Sequence, residues 1–304
     1  MKAAQRNLIH KGLLVRKLRQ ITVIGLGLLG SSITLAVSRK IPGLKVAGYS
    51  HRASTRAKAR KLRVADKVYE DLAQSVAGAD IVILATPIGV FEEIFEEIAK
   101  SAPAGCIVTD VGSTKVMPHR WAKKVFGRGI CYVGSHPIAG SEQRGVEFGK
   151  ADLFNNALCL VTSDKNTNPA AVKVLKQFWT KLGCVVKETT PAEHDKILGN
   201  VSHLPHVTAA SLINASDEKY LKFAGPGLID TSRIASGPAN IWADIFTTNS
   251  VNICKAIDRE IKEMLRLKAA ISRQDKKQIE CLLEKARDKR KRLAGRKRNN
   301  RNLE

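Results

Sequence analysis

A histidine in the segment VGSHPIAGSEQRG (residues 133–145) is a candidate for acid–base chemistry. His136 follows a run that could end a strand and precedes a turn of sequence Pro-Ile-Ala-Gly. A neutral imidazole, with an ordinary pKa near ~6.5, can accept a proton at neutral pH. A lone histidine in a loop is more often structural or solvent-exposed than catalytic. His136 alone therefore leaves both interpretations open.

A glycine-rich turn near the start of the chain predicts a dinucleotide site. The residues Gly25-Leu26-Gly27-Leu28-Leu29-Gly30 fit G-x-G-x-x-G, with a strand pattern before them and a helix pattern after them. Such glycines allow a tight turn and close approach of the backbone to a pyrophosphate, which the free N–H groups of the helix bind. We also assign Thr86 and Pro87, at the end of ADIVILATP, to this site. A purely structural glycine turn is the alternative.

The end of the second predicted strand bears on the choice of cofactor. NAD sites place an acidic residue there to bind the ribose 2′-hydroxyl. This chain has Ser50-His51-Arg52 at that point and no acid. A guanidinium pairs with a 2′-phosphate, which a carboxylate would repel. We therefore favour NADP, with NAD as the alternative.

The elements that must position these residues form a regular series. Seven short apolar runs, spaced so that helices fit between most of them, predict βαβ units and a parallel sheet. The runs lie in QITVIGLG, LKVAGYS, ADIVILATP, GCIVTDVGS, GICYVGSHP, ALCLVTS and GCVVKET. After about residue 190 only helical patterns remain, ending with a capping-box-like Ser272-Arg-Gln-Asp275. The predicted fold class is α/β: a Rossmann-like dinucleotide-binding domain followed by an all-helical dimerisation domain.

The predicted domains follow from these patterns and from the charge. They are a basic extension at 1–19, the dinucleotide-binding domain at 20–189, a helical substrate and dimerisation domain at 190–284, and a basic tail at 285–304. A stripe of Ile253, Ile257, Ile261, Met264 and Leu265 at helical spacing is core or subunit interface, and favours a homodimer.

Composition excludes several classes of protein. The net charge is +23, of which residues 1–20 carry +6 and residues 285–304 carry +8. Such ends attract nucleic acid or are simply frayed and solvated, the second being the commoner case. No apolar run approaches the ~18 residues of a membrane span, and the N-terminus lacks a signal-peptide pattern, so we expect a cytoplasmic protein. The six cysteines lack metal-ligand spacing and are expected to be reduced core residues, and we expect no metal.

Four further motifs follow the glycine turn in order. They are DVGSTK (110–115), GSHPIAGSE (134–142), AEHDKILGNVSHLPH (192–206) and GPGLIDTSRIASGPANIWADI (225–245). With the glycine turn, this sequence resembles the prephenate and arogenate dehydrogenase family over roughly residues 20–265. The resemblance implies that hydride leaves C4 of a cyclohexadiene for a nicotinamide, the 4-hydroxyl loses its proton and the ring carboxylate departs as carbon dioxide.

The resemblance also implies roles for individual residues. His136 matches the histidine that accepts the hydroxyl proton, and Ser113 the serine that orients that imidazole. A helix N-cap is the alternative role for Ser113. Arg233 matches the arginine that binds the substrate carboxylate, with an ion pair to Asp230 or Asp244 as its alternative.

Other matching positions are expected to line the substrate pocket. They are His194, His206, Glu142 and Trp242, of which Trp242 could equally belong to the core. His203 matches less well, and we expect it to pack in the core. Arg144 departs from the family pattern and either adds a cation at the pocket mouth or faces solvent.

Three interpretations compete. The first is an NAD(P)-dependent prephenate dehydrogenase, with arogenate, which carries an amino acid instead of a keto acid, as the alternative substrate. The second is a β-hydroxyacid or imine dehydrogenase, which would not explain HPIAGSE and SHLPH together. The third is a protein with a dehydrogenase-like scaffold that binds nucleic acid through its basic ends.

Overall fold

The structure is a computed structural model that describes residues 18–127, 129–140 and 143–301, with side chains described to residue 294. Its internal contacts divide the chain after Asn252 into two units. The first unit holds the sheets and most of the helices, and the second consists of helix.

Six parallel strands form the main sheet of the first unit. They are β1 (Gln20–Ile24), β2 (Lys45–Tyr49), β3 (Lys67–Tyr69), β4 (Ile81–Leu84), β5 (Ile107–Asp110) and β6 (Cys131–Tyr132). Their order is β3-β2-β1-β4-β5-β6. All residues of β4 and β5 are buried, as in a parallel sheet covered on both faces. The predicted parallel sheet is confirmed, although β3, only three residues long, was not predicted.

A second, three-stranded sheet contains His136. Its strands are β7 (Gly134–Pro137), β8 (Leu158–Thr162) and β9 (Val185–Thr189), with β7 antiparallel to β8 and β8 parallel to β9. The run GICYVGSHP, which we assigned to one strand, therefore splits at Val133 between two sheets. His136 lies in β7 opposite Leu160, one residue before the end of the strand, and not in a loop.

Helices cover the main sheet and join its strands. They are α1 (Leu28–Lys40), α2 (Ala53–Lys61), α3 (Leu72–Val76), α4 (Phe91–Ser101) and α5 (Val116–Val125), whereas α6 (Pro169–Lys181) joins β8 to β9 of the second sheet. In α4 the buried residues Phe91, Phe95 and Ile98 follow helical spacing, and its first turn carries two glutamates while Lys100 lies in its last turn. Both patterns favour this helix at this place, since one buries an apolar stripe and the other complements the helix dipole.

The rest of the first unit is helical. It comprises α7 (Pro191–Leu198), a π turn (Gly199–His203), α8 (Leu204–Ala215), α9 (Glu218–Leu221), α10 (Pro226–Ser232) and α11 (Ala239–Thr248). The side chain of Thr190 accepts a hydrogen bond from the Glu193 backbone at the start of α7. Pro205, at the start of α8, has no backbone N–H to continue an α-helical ladder, and an i→i+5 turn precedes it.

The second unit contains most of α12 (Ser250–Ser272) and all of α13 (Lys276–Arg301). Asp275, not Ser272, caps α13, because its carboxylate accepts from the backbone N–H of Gln278 at 3.0 Å. The predicted capping box is therefore wrong. The basic segment is helical to Arg301, and its side chains from residue 285 to 294 are exposed, as expected of a solvated end.

Two further expectations, about the cysteines and about the apolar stripe, agree with the structure only in part. Cys106, Cys159 and Cys184 are buried as expected, but Cys254 and Cys281 lie exposed on the helices of the second unit. Within the apolar stripe, Ile253 is buried whereas Ile261, Met264 and Leu265 are 48%, 65% and 58% exposed. In the described parts of the chain, no helix is both long and apolar enough to cross a bilayer.

Candidate active site

The turn between β1 and α1 has the backbone geometry of a phosphate cradle. Gly25 has φ +97°, and a Cβ there would lie 2.6 Å from the carbonyl oxygen of Ala85. A Cβ on Gly30 would collide with the carbonyl oxygen of Gly25, whereas one on Gly27 would meet nothing within 4 Å. Gly27 begins α1 without a side-chain cap and without an acid in the first turn. The first N–H groups of α1 can therefore bind the pyrophosphate of a dinucleotide.

Other residues assigned to the cofactor flank this turn. Thr86 has a buried hydroxyl without a hydrogen-bond partner in the described part of the chain, and a Cβ on Gly25 would also touch its methyl group. Leu26 points into the core, and Leu28 and Leu29 are the first two residues of α1. Because these leucines are apolar, only their backbone can contribute to binding phosphate.

The end of β2 presents cations and backbone carbonyls. Ser50 is buried, while His51 and Arg52 are exposed, and Arg52 begins α2. Arg56 donates to the carbonyl oxygens of Ser50 at 2.8 Å and His51 at 3.0 Å, which holds this loop in place. The arrangement leaves the side chain of Arg52 at the surface beside a helix N-terminus, a suitable place for a phosphate.

His136 is joined to a second histidine from the helical segment. Its Nδ1 lies 2.9 Å from Nε2 of His194 in α7. Nδ1 of His194 lies 2.8 Å from Oδ1 of the next residue, Asp195. His194 is fully buried, whereas His136 is half-buried. His194 therefore contacts His136 from a buried position, and its predicted place in the lining of the pocket stays a prediction.

The carboxylate of Asp195 also caps α5. It accepts hydrogen bonds from the backbone N–H groups of Lys115 at 2.7 Å and Val116 at 2.8 Å. These are orphan donors of a helix N-terminus, and a carboxylate there is favoured by the helix dipole. The alternative role of Ser113 as N-cap of this helix is therefore wrong, because an acid 80 positions from Lys115 supplies the cap.

The loop after β5, which carries Ser113, is shaped by a buried ion pair. Nζ of Lys115 lies 2.7 Å from Oδ1 of Asp110, and both side chains are fully buried. Lys115 also donates to the carbonyl oxygen of Gly112, and Tyr132 donates to Oδ2 of Asp110. Ser113 lies half-buried in this loop. Within the described residues no hydrogen bond joins Ser113 to His136.

A third group of side chains adjoins Asp195. The amide of Asn249 donates to the carbonyl oxygen of Asp195 at 2.8 Å and contacts Nδ1 of His203 at 3.1 Å. His203 is fully buried, as expected of a core residue, and its ring meets that of Trp242 edge to face.

His206 and Trp242 form a stacked pair. Their ring centroids are 3.5 Å apart at an interplanar angle of 11°. Gly237 lies against this pair, because a Cβ there would meet both rings. Trp242 is half-buried and packs against the core cluster that includes Ile245, while its role in lining the pocket stays a prediction.

The remaining predicted residues are more peripheral. Arg233 is exposed at the start of a 3-10 turn that packs against α8. Arg144 is exposed. Glu142 lies outside the described residues. Asp244, an alternative partner of Arg233, accepts from the backbone N–H of Gly89 at 3.0 Å.

The lowered pKa values of the site histidines favour their neutral form. Burial lowers the pKa of His136 well below its usual range, and the neighbouring His194 and Lys115 lower it further. Burial lowers the pKa of His194 to about 2, so its contact with Asp195 is a hydrogen bond of a neutral imidazole and not an ion pair. The pKa of His203 falls to about 4 for the same reason. An unprotonated His136 is the form that can accept a proton.

Two family models match the chain in succession. Residues 33–188 match the nucleotide-binding domain of prephenate dehydrogenase, and residues 190–285 match its dimerization domain. The chain belongs to the prephenate dehydrogenase family. The predicted family and an NAD(P)-dependent oxidoreductase are thereby confirmed. The prephenate dehydrogenase of Bacillus subtilis is 34% identical over 275 residues, which are 88% of this chain and 74% of that protein.

The proteins similar to this chain do not all carry the name prephenate dehydrogenase. The cyclohexadienyl dehydrogenase of Zymomonas mobilis is 30% identical over 84% of this chain and 90% of its own length. The structure of prephenate dehydrogenase from A. aeolicus in complex with hydroxyphenyl propionate and NAD+ has a TM-score of 0.86 at 30% identity, covering 92% of this chain and 99% of that one. Synechocystis arogenate dehydrogenase has a TM-score of 0.78 at 28% identity, covering 90% and 99%. The predicted fold class is confirmed.

Four residues of this family member were missed by sequence reasoning. Asp110, Lys115 and Asp195 stand inside motifs that we recognised, beside residues to which we gave roles. Asn249 follows the last motif and lies between α11 and α12. The sequence offered one signal, for Asp195: in AEHD an acidic residue directly follows a site histidine.

Proposed function

We propose that the protein is a prephenate dehydrogenase that oxidatively decarboxylates prephenate to 4-hydroxyphenylpyruvate. The observation that carries this proposal is that a neutral His136, in β7, contacts a buried His194. The same chain has a phosphate cradle directly after its first strand. Arogenate is the alternative substrate, because a Synechocystis arogenate dehydrogenase is similar over most of the chain.

The residues of the chain divide the work as follows. His136 accepts the 4-hydroxyl proton as the carbon loses hydride, and Arg233 binds a carboxylate of the substrate. The half-buried ring of Trp242, stacked on the buried ring of His206, offers a flat surface to the substrate. When bound, the nicotinamide supplies the hydride acceptor, while the cradle at Gly25–Gly30 holds its phosphates. Ser113, in the loop shaped by Lys115, orients the hydroxyl or the imidazole.

A steady-state assay of prephenate and arogenate, each with NAD+ and NADP+, tests the assignment. We expect turnover with prephenate, and the absence of turnover in all four pairings would refute the proposal. His136→Asn should lower kcat by on the order of 10²–10⁴, since it removes the general base. His119→Asn is the matched control, because His119 faces Thr162 and Tyr132, and it should leave kcat little changed.

We infer a preference for NADP from the end of β2. Exposed Arg52 and the absence of an acid at residues 50–52 support it. A charge-assisted bond to a phosphate contributes about 1.5–3 kcal/mol, so Arg52→Ala should lower kcat/KM for NADP by about 10–100-fold and leave NAD nearly unaffected. Lys61→Ala, at the far end of α2, is the control. Equal loss with both cofactors would contradict the preference.

We further propose a homodimer formed through α12. The match to a dimerization domain and the exposed Ile261, Met264 and Leu265 support it. Leu265→Glu should convert the dimer to a monomer in light scattering, whereas Lys255→Glu on the same helix should not. A dimer that survives Leu265→Glu would place the interface elsewhere.

The domain limits predicted from the sequence remain proposals. A boundary near residue 190 is supported by the two adjoining family matches. The cytoplasmic location, and any contact of the basic ends with nucleic acid, remain predictions. The exposed basic residues of α13 support contact with nucleic acid only as a salt-sensitive attraction to polyanions.

A further inference from the structure

The hydrogen bonds behind His136 specify which of its ring nitrogens carries the proton. We propose that Asp195, acting through His194, holds His136 in the tautomer protonated at Nδ1, so that the lone pair on Nε2 is the proton acceptor. This inference rests on the proposed function, in which His136 is the base. It assigns His194 and Asp195 as positioning residues.

Asp195 is the start of the argument. Its two carboxylate oxygens accept from the backbone N–H groups of Lys115 and Val116. Those donors have no other role at the start of α5, and an ionised carboxylate only accepts hydrogen bonds. Burial raises the pKa of Asp195, but these two bonds oppose that shift. The third contact of the carboxylate, Nδ1 of His194 at 2.8 Å, must therefore donate.

The tautomer of His194 then determines that of His136. A neutral His194 with its proton on Nδ1 has a bare Nε2, which can only accept. The atom 2.9 Å from that Nε2 is Nδ1 of His136, which must donate. Neutral His136 therefore carries its proton on Nδ1 and a lone pair on Nε2.

A protonated Asp195 would reverse every step. It would donate to Nδ1 of His194, whose Nε2–H would donate to His136, and Nε2 of His136 would then hold a proton and could not act as a base. The carboxylate therefore controls the availability of the base without touching the substrate.

The same carboxylate supplies negative charge when the base becomes charged. During the reaction the hydroxyl O–H bond breaks, a bond forms from the proton to Nε2, and the O–H electron pair stays with oxygen as the carbonyl forms. The titratable groups that face this chain of bonds include charged Lys115 from the loop before α5 and neutral His203 and His119, from the π turn and from α5. Lys115 disfavours the imidazolium, and Asp195 opposes that effect. No proton has to leave His136 toward His194.

The tautomers can be measured without turnover. Two-bond ¹H–¹⁵N spectra of protein labelled in its seven histidines distinguish Nδ1–H from Nε2–H, and spectra of His136→Asn and His194→Gln assign the two rings. We expect Nδ1–H at both His136 and His194 in the wild-type protein. A wild-type His136 that carries Nε2–H would overturn the proposal. In Asp195→Asn we expect Nε2–H to appear at His136.

Kinetics provide the second readout. Asp195→Asn should lower kcat by on the order of 10²-fold or more with little change in KM, as expected when a base is held in the wrong tautomer. It should also move the acid limb of the pH profile of kcat/KM to lower pH, because the imidazolium loses a compensating charge. In a His194→Gln background, where Gln can still accept from His136, Asp195→Asn should add little further loss.

A matched control separates this role from helix capping. The carboxylate of Asp71 accepts from the backbone N–H of Gln74 at 2.7 Å and caps α3. Asp71→Asn removes the charge of a capping carboxylate without touching a histidine, and should leave the tautomers, kcat and pH profile unchanged. If Asp195→Asn behaves like Asp71→Asn, Asp195 is only a cap and the proposal fails.

The two proposals fail separately. If the wild-type protein shows the expected tautomers but His136→Asn retains full turnover, the base assignment fails and the tautomer assignment stands. If His136→Asn is inactive but the wild-type protein shows Nε2–H at His136, the function stands and this inference fails.

Discussion

Removal of the ammonium group of Lys115 should destabilise the protein more than any surface substitution. Lys115→Met keeps an unbranched side chain of similar length in the same space. It leaves the carboxylate of Asp110 buried without its counterion, 2.7 Å from where Nζ had been. It also leaves the carbonyl oxygens of Gly112 and Thr114 without this donor.

The expected magnitude follows from the burial of both partners. Breaking a fully buried ion pair by removing one member costs about 3–5 kcal/mol, because an uncompensated charge remains. That is about a fifth or more of the ~5–15 kcal/mol by which folded domains are stable. Asp110 keeps the hydroxyl of Tyr132 and the backbone N–H of Gly112, which places the cost toward the lower end of that range.

Thermal and urea denaturation measure the change, with an exposed pair as the control. Lys124 contacts Glu92 at the same distance of 2.7 Å, but its side chain is 71% exposed. Lys124→Met should cost less than about 1 kcal/mol, as exposed pairs do. Lys115→Met should lower Tm by on the order of 10 °C. Similar small losses for both variants would refute the argument that burial decides the energy.

A second substitution tests the cause. Lys115→Met/Asp110→Asn removes the stranded charge, so it should be more stable than Lys115→Met alone. If the double variant is less stable than either single variant, packing and not charge accounts for the loss.

Two further predictions follow from the structure. Gly27→Ala should weaken cofactor binding, measured by fluorescence titration, without lowering Tm, because its Cβ meets no protein atom within 4 Å. Gly30→Ala should lower both the affinity for the cofactor and Tm, since its Cβ collides with Gly25. Equal Tm losses in the two variants would contradict this. The free energy of unfolding should fall as pH drops from about 6.5 toward 4, because burial lowers the pKa of His119 to about 4 and only the unfolded chain then binds the proton. His119→Gln should flatten that slope in urea titrations, and an unchanged slope would exclude His119 as a source.

The glycine turn and the order of the motifs were predictable because they are local. A side chain at position 25 or 30 would collide with nearby backbone, so the turn requires glycine there. The turn also lies between a strand and a helix that are contiguous in the chain. Buried parallel strands read as unbroken apolar runs, which also made β4 and β5 easy to predict.

The second sheet was not predictable for a related reason. Nothing in GICYVGSHP marks the point where the chain leaves one sheet for another, because Val133 is as apolar as its neighbours. The crossing is determined by partners far along the chain, such as Leu160 opposite His136. The cap that Asp195 provides to α5 is likewise a contact between distant segments, which local propensity does not encode.

The π turn at Gly199–His203 has a consequence for the angular placement of the site histidines. An uninterrupted α-helix turns about 100° per residue, which would put His206 about 120° around the axis from His194. The π turn accommodates one extra residue, and this reduces the offset to about 20°. The two imidazoles thus leave the helical segment on nearly the same side. A deletion of one residue within the turn would leave a regular α-helix with the same offset of about 20° between the two histidines, so the turn absorbs one extra residue without changing the angular phase of the two imidazoles.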